Sequence, residues 1–350
     1  MPTVSVIIPA YNAAKTIAET VDSVLQQEFD DFELIIVNDG STDHTLEILQ
    51  QCTDPRIRIF TFENAGPQRS RNRGLEKANG TFVSFLDADD LWTADKLKLQ
   101  IETLQNNPAA SVIYSWCDVI DEQGEFLRRG GHFIRRGDVF TDLFLINFGE
   151  NGSNFLAYLD AIKSVGGFDE KIVAAQDRDM LLSLASQYQF DVVPKVQVFY
   201  RKSTTAKSWS SSIERTRAGI EQVINKHSAD QPEMAAYKKQ GLSNSYKHML
   251  FECLNNHSSR QKGLYALNLL WMIMINDHSF VTKKVFFKVL TRIWIAIALP
   301  QKTSQQLIEQ FPKIFNITTI YGYLKLDKAT IHQDVDHFSR RQFNHNVLEK

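Results

Sequence analysis

Over the first ninety residues, short runs rich in Val, Ile and Phe alternate with stretches whose apolar residues recur at helical spacing. Val4–Pro9, Leu34–Val37, Ile57–Phe62 and Phe82–Leu86 read as buried strands. Ile17, Val21, Val24 and Leu25 predict a helix ending near Gln27. A second helix is expected over Asp43–Cys52, capped by Ser41, and a third over Arg69–Ala78. This alternation predicts a parallel sheet covered by helices on both faces. Ligands of such sheets bind beyond the carboxyl ends of the strands. That rule selects Pro9–Asn12, Asn38–Asp43, Glu63–Arg73 and Asp87–Asp90.

Each of the four segments carries residues suited to chemistry. Asp87-Ala88-Asp89-Asp90 crowds three carboxylates together, which is costly unless a cation compensates. Hard oxygen ligands suit Mg²⁺ or Mn²⁺. The plainer alternative has Asp90 capping a helix from Trp92, with the other two solvated. Asp39 ends its strand directly and can accept from a base N–H. Gly40, Ser41 and Asp43 suit a turn and a helix cap. Tyr11 can stack on a nucleobase or simply cover the sheet edge. Arg69, Arg71 and Arg73 at a helix entry suit a diphosphate, although Arg69 and Arg73 also fit a solvated basic face. Neither a GxGxxG nor a GxxxxGK[ST] pattern occurs. Farther on, Asp177 opens a helix over Asp177–Gln187, where it can serve as a cap or as a general base.

Beyond Ser111 the pattern loosens. Val112–Trp116 and Val192–Tyr200 read as strands, and the chain after Thr204 reads as helical. The 350 residues, 43% hydrophobic and 23% charged, fit a folded chain of two domains or one domain with an extension. The net charge of −2 excludes a global basic field, so no nucleic-acid partner is expected. Cys52, Cys117 and Cys253 are dispersed and odd in number, which suits core thiols in a reducing compartment rather than disulfides or zinc. The opening text, MPTVSVIIPAYN, does not resemble a signal peptide. No run of about 20 apolar residues suggests a membrane span.

The ordered text VSVIIPAYN, FELIIVNDGSTD, GPQRSRNRGLEKANGTFVSFLDADDLW, GGFDE and AQDRDMLLSLA resembles family 2 glycosyltransferases with the GT-A fold. The likeness runs over roughly residues 3–205. It implies a Rossmann-like, mostly parallel central sheet flanked by helices. It also implies inverting transfer of a sugar from a nucleoside-diphosphate-sugar to an acceptor hydroxyl, in the synthesis of a polysaccharide, a lipid-linked glycan or another surface glycan. By that resemblance Pro9, Tyr11 and Asp39 surround the base and Arg71 approaches the nucleotide. Asp87 faces the ribose, Asp89 ligates Mn²⁺ or Mg²⁺, and Asp177 is the catalytic base. Two positions depart from the family pattern. Gln176 stands where Glu is frequent, and Tyr200-Arg201-Lys202-Ser203 lacks the usual His, so Arg201 or Lys202 is expected to stand in for it.

The resulting division is a nucleotide-sugar half over 1–110, an acceptor half over 111–205 and a helical extension over 206–350. In the extension Val285, Phe286, Val289, Leu290, Ile293, Trp294 and Ile297 form an apolar stripe flanked by Lys283, Lys284, Lys288 and Arg292. It suits either a protein core or second subunit, or peripheral contact with an anionic membrane. The expected location is cytoplasmic, including the inner face of the membrane. Two other functions use similar acids. A metal-dependent sugar nucleotidyltransferase would want a Gly-rich basic loop after the first strand, and Pro9-Ala10-Tyr11-Asn12 is not one. A non-catalytic sugar-nucleotide binding protein could dispense with Asp39, Asp87, Asp89 and Asp177, yet all four are present.

Overall fold

The computed structural model describes residues 1–202, 213–255 and 259–324. β1 (Val4–Ala10), β2 (Phe32–Asp39), β3 (Ile57–Phe62) and β4 (Phe82–Phe85) alternate with α1 (Ile17–Leu25), α2 (Thr45–Gln50) and α3 (Pro67–Lys77). Then come β5 (Leu91–Trp92), α4 (Lys96–Asn106), β6 (Ala110–Ile120), β7 (Phe126–Arg129) and α5 (Phe140–Leu145). β8 (Leu156–Tyr158), α6 (Leu159–Ser164), α7 (Gln176–Ala185) and β9 (Gln189–Arg201) follow. The strands form one sheet in the order β3-β2-β1-β4-β8-β6-β9-β5, with β7 on β6. Pairing is parallel across β3-β2-β1-β4 and between β6 and β9, and antiparallel elsewhere.

The register explains why four loops meet. Ala10 pairs with Asn38, Asp39 with Phe62, and Ile7 with Phe85, so β1 to β4 end at one edge of the sheet. The strands are continuous apolar runs because both faces are covered: Val4, Val6, Ile7, Ile8, Leu34 and Ile36 are all fully buried. Each such side chain contributes about 1.5–3 kcal/mol. α3 lies so close to β1 that a Cβ on Gly74 would stand 2.4 Å from Ile7 Cγ2, so only glycine fits there.

Two expected caps differ from the structure. Ser41 does not cap α2; its hydroxyl accepts from Asn12 N–H at 3.1 Å and ties the β1 loop to the β2 loop. Asp43 makes the bonds at the helix entry, accepting from Thr45 N–H at 3.0 Å. Asp90 caps no helix, because Leu91–Trp92 pairs with β9 as a strand and the next helix starts at Lys96.

The chain divides into two compact units: residues 1–143 with 147–209, and residues 144–146 with 210–350. The expected boundary near 205, and Ser203, lie outside the described residues. The second unit holds α8 (Ile213–Asp230), α9 (Lys238–Asn255), α10 (Arg260–Asn276), α11 (Lys284–Ala298), α12 (Gln301–Gln310) and α13 (Pro312–Phe315). Its polar centre is Lys247, fully buried, whose Nζ sits 2.9 Å from Asp277 Oδ2 and donates to the Tyr323 carbonyl at 2.9 Å.

The expected apolar stripe on α11 is split by the structure. Val285, Val289 and Ile293 are buried, whereas Leu290 and Trp294 are exposed. Arg292 does not flank the stripe at the surface. It is buried, donates to the carbonyls of Leu254 and Phe315 at 2.5 and 3.2 Å, and is lowered to about 10 by that burial. Leu254 lies in the last turn of α9, so the cation also meets the negative end of a helix. Among the described residues no helix is long and apolar enough to cross a membrane.

Candidate active site

The floor of the site is the Asp87–Asp90 loop, and it is fastened from three sides. From α1, Thr16 and Thr20 hydroxyls donate to the Ala88 and Asp90 carbonyls at 2.8 and 3.0 Å. From the loop before β8, Ser153 Oγ accepts from Asp87 N–H at 3.0 Å and donates to Asp90 Oδ2 at 2.5 Å. From β9, Arg201 N–H donates to Asp90 Oδ1 at 2.9 Å. Asp90 is thus a fully buried strut. Burial, then the charges of Asp89 and Asp87, push its carboxyl well above the usual range.

Asp89 has a different environment. The residue keeps exposed surface, yet its carboxyl is crowded by protein atoms. Desolvation and the neighbouring Asp87 charge push it up to about 7. Such a carboxyl gains most from a cation. Among the described residues no three His, Cys, Asp or Glu side chains converge on one point. A divalent ion here would therefore draw on Asp89 and leave its remaining positions to diphosphate oxygens and water, as Mg²⁺ commonly does.

The three arginines of α3 separate. Arg69 pairs with Glu170 at 3.1 Å, both half exposed. Arg73 is not on a solvated face: it is largely buried, lies over the Phe62 ring and donates to Asp39 Oδ1 at 3.0 Å. Arg71, 2% exposed, donates through Nη2 to Asp87 and lies 5.3 Å from the Phe168 ring centre. Its Nε and Nη1 are buried without a hydrogen-bond partner. Leaving such donors unmade costs about 1–3 kcal/mol or more for a charged group. They fit an anionic oxygen supplied from outside. Of the three arginines, Arg71 is the one that keeps buried nitrogens without a hydrogen-bond partner.

Asp39 is buried, and its carboxylate accepts from Gly66 N–H at 2.8 Å, Ala65 N–H at 3.1 Å and Arg73. A carboxylate offers about four acceptor positions, so room for about one more donor remains. Gly40, at φ +69°, turns the chain away just after it, where a Cβ would stand 2.9 Å from Asn64 N. Pro9 lies at the end of β1, paired in register with Val37. Tyr11 follows it, 52% exposed, on a turn held to the Ser41–Thr45 segment by Asn12, Ala13 and Ala14.

Asp177 reaches this region because α3 clasps the segment before α7. Asn72 exchanges hydrogen bonds with the main chain of Phe168 at 2.8 and 2.9 Å, and Gln68 Nε2 donates to the Ile172 carbonyl at 2.5 Å. Ala175, at φ +60°, then turns the chain into α7. Burial raises the Asp177 carboxyl above its ordinary value; the Arg71 guanidinium pulls it down and Asp87 pushes it up. Asp177, Arg71 and Asp87 therefore share one electrostatic neighbourhood. A carboxylate raised in this way is a stronger base.

Arg201 does not stand free for a diphosphate. Its guanidinium donates to the carbonyls of Asp89 and Glu122, both at 2.9 Å, and to Glu19 Oε2 at 2.7 Å. It holds the Asp89 main chain in place, and its charge lowers the Asp89 carboxyl against the larger effects above. The pairing of Arg73 with Asp39, the link through Ser153 and the structural role of Arg201 are not evident in the sequence. The only signal for Ser153 was the polar run Asn151-Gly152-Ser153-Asn154 ahead of an apolar strand.

A family model described as glycosyltransferase like family 2 matches residues 5–255. A putative teichuronic acid biosynthesis glycosyltransferase of Bacillus subtilis is 48% identical over 112 residues, which are 31% of this chain and 44% of that protein. A chondroitin synthase of Pasteurella multocida is 29% identical over 233 residues, 65% of this chain and 24% of that protein. An uncharacterized glycosyltransferase of Rickettsia bellii is 39% identical over 143 residues, 40% of this chain and 20% of that protein. The chain thus spans between 20% and 44% of the length of these relatives. The crystal structure of S. aureus TarS 1–349 in complex with UDP-GlcNAc superposes with a TM-score of 0.58 at 20% identity. That alignment covers 92% of this chain and 91% of the other, and gives the GT-A fold. The family match takes in all four strand-end segments and α7, and the chain belongs to glycosyltransferase like family 2.

Proposed function

We propose that this chain moves a sugar from a nucleoside-diphosphate-sugar to an acceptor hydroxyl with inversion at the anomeric carbon. The observation that carries this reading is the position of Asp177. It lies ninety residues beyond Asp87 in sequence, yet its carboxyl is tuned by Arg71 and by Asp87. A base, an anion-binding cation and an acid cluster at one strand-end site are what a single in-line displacement needs.

In this reading Pro9, Tyr11 and the remaining acceptor position of Asp39 receive the nucleobase. Asp87 faces the ribose, and the unpartnered Arg71 nitrogens take a donor oxygen. Asp177 accepts the proton of the acceptor hydroxyl as its oxygen bonds to the anomeric carbon and the bond to the diphosphate breaks. Mn²⁺ or Mg²⁺ held at Asp89 would neutralise charge on the departing diphosphate. Asp90, Ser153 and Arg201 keep the Asp89 main chain from moving as that charge develops. The acceptor is a growing glycan or a lipid-linked one, in keeping with the polysaccharide names of the relatives. Three free cysteines suit a reducing compartment, so the reaction belongs on the cytoplasmic side.

The test is a thermal-shift panel of nucleoside diphosphates and their sugars, with and without Mn²⁺. Saturation near 100 times Kd would add about 2.7 kcal/mol of stability. Asp89→Asn is expected to lose the metal-dependent part of that shift. If no nucleotide raised the melting temperature with any divalent ion, the donor assignment would fail.

A further inference from the structure

We propose that the paired faces of α10 and α11 dock this chain on an anionic membrane surface. Along α10, Leu264, Leu267, Trp271 and Ile275 lie one above another at 53%, 44%, 60% and 44% exposure. Beside them α11 presents Phe287, Leu290 and Trp294 at 61%, 40% and 63%. Leu267, Trp271, Phe286 and Leu290 line one shallow groove, so the two helices share a single apolar surface. The opposite sides of the same helices are already spent on the core, through Leu269 and Ile273 of α10 and Val289 and Ile293 of α11. An exposed patch of this kind marks an interaction site.

Charge selects the occupant. Between Ser259 and Ile308 the sequence holds one carboxylate, Asp277, and that one is buried against Lys247. Arg260, Lys262, Lys283, Lys284, Lys288 and Lys302 lie in the same span, in a chain whose net charge is −2. Within this span the described part of both helices therefore carries basic residues beside the apolar face and exposes no carboxylate of its own. A second copy of the chain seated face to face would oppose lysine to lysine, which disfavours self-association. Anionic lipid headgroups complement the excess of cations on these helices, acyl chains complement the face, and Trp271 and Trp294 suit the headgroup boundary. The helices are 17 and 15 residues long, too short to span, and lie in the plane of the interface. The proposal does not depend on the transfer chemistry.

The test is flotation of the full chain with vesicles of phosphatidylcholine alone and of phosphatidylcholine mixed with phosphatidylglycerol. Binding to the mixed vesicles is expected, and it should weaken with added salt. Trp271→Glu and Trp294→Glu should each weaken it roughly tenfold, and Lys284→Glu about fivefold. Melting temperatures of the variants should stay at the wild-type value, because all three positions are exposed. Absence of wild-type flotation would overturn the proposal, as would flotation that both tryptophan variants leave unchanged. So would a wild-type dimer in sedimentation that Trp294→Glu dissolves, since that face would then belong to a second copy. Nucleotide-dependent thermal shifts of the same variants should match wild type, which separates loss of docking from loss of the donor site.

Discussion

Two groups of charges in this molecule have opposite balance. In the helical unit Lys247 and Asp277 satisfy one another, with the Tyr323 carbonyl taking a further hydrogen of the ammonium. At the strand ends Asp87, Asp89 and Asp90 crowd together, and Asp89 rises to about 7 through desolvation and the Asp87 charge. On the other side of the same site Arg71 keeps two buried nitrogens without partners. The first group is complete and holds structure. The second has an excess of negative charge beside unmet donors, the balance that the proposed binding of a cation and an anion together calls for.

That contrast can be broken by substitution. Lys247→Met removes the partner of a buried carboxylate and should cost about 3–5 kcal/mol, read by urea denaturation. Nucleotide-dependent thermal shift in the folded fraction should persist. Arg73→Met leaves Asp39 buried with only backbone donors, and a loss of about 2–3 kcal/mol is expected, with weaker nucleoside binding by calorimetry. Ser153→Ala breaks the link between Asp87 N–H and Asp90 and should cost about 1–2 kcal/mol. Its transfer rate should fall more than its donor affinity, because the loop is then free to shift under developing charge. Asp89→Asn is expected to leave metal-free stability unchanged or slightly higher, since it relieves crowding among like charges. A large destabilisation from Asp89→Asn would place Asp89 with the structural charges and remove the contrast.

Much of this organisation was legible in the sequence because it rests on periodicity. Ile57–Phe62 is a strand with the bounds expected, and the strand-end rule selected the segments bearing Pro9, Asp39, Arg71 and Asp87 before any likeness was considered. Periodicity is silent about which partner a charge chooses. Arg69, Arg71 and Arg73 sit at alternate positions of one helix, yet they meet Glu170, Asp87 and Asp39 respectively. Nothing local distinguishes them; the sheet register and the clasp of Asn72 on Phe168 do. Asp90 failed as a helix cap for the same reason, since its partners, Ser153 and Arg201, lie 63 and 111 residues away. On α11 the difficulty was one of phase. Apolar residues surround that helix, so a single stripe fits the text in more than one orientation. Burial assigns Val289 and Ile293 to the core and Leu290 and Trp294 to the surface.

In the proposed function Asp177 performs chemistry at a site the four strand ends assemble for the donor. Single-turnover transfer by wild type and Asp177→Asn, with donor affinity measured alongside by calorimetry, tests it most directly. Donor affinity is predicted to stay within about twofold, while the transfer rate falls by about 10²–10⁴. Transfer at the wild-type rate in Asp177→Asn would contradict the claim.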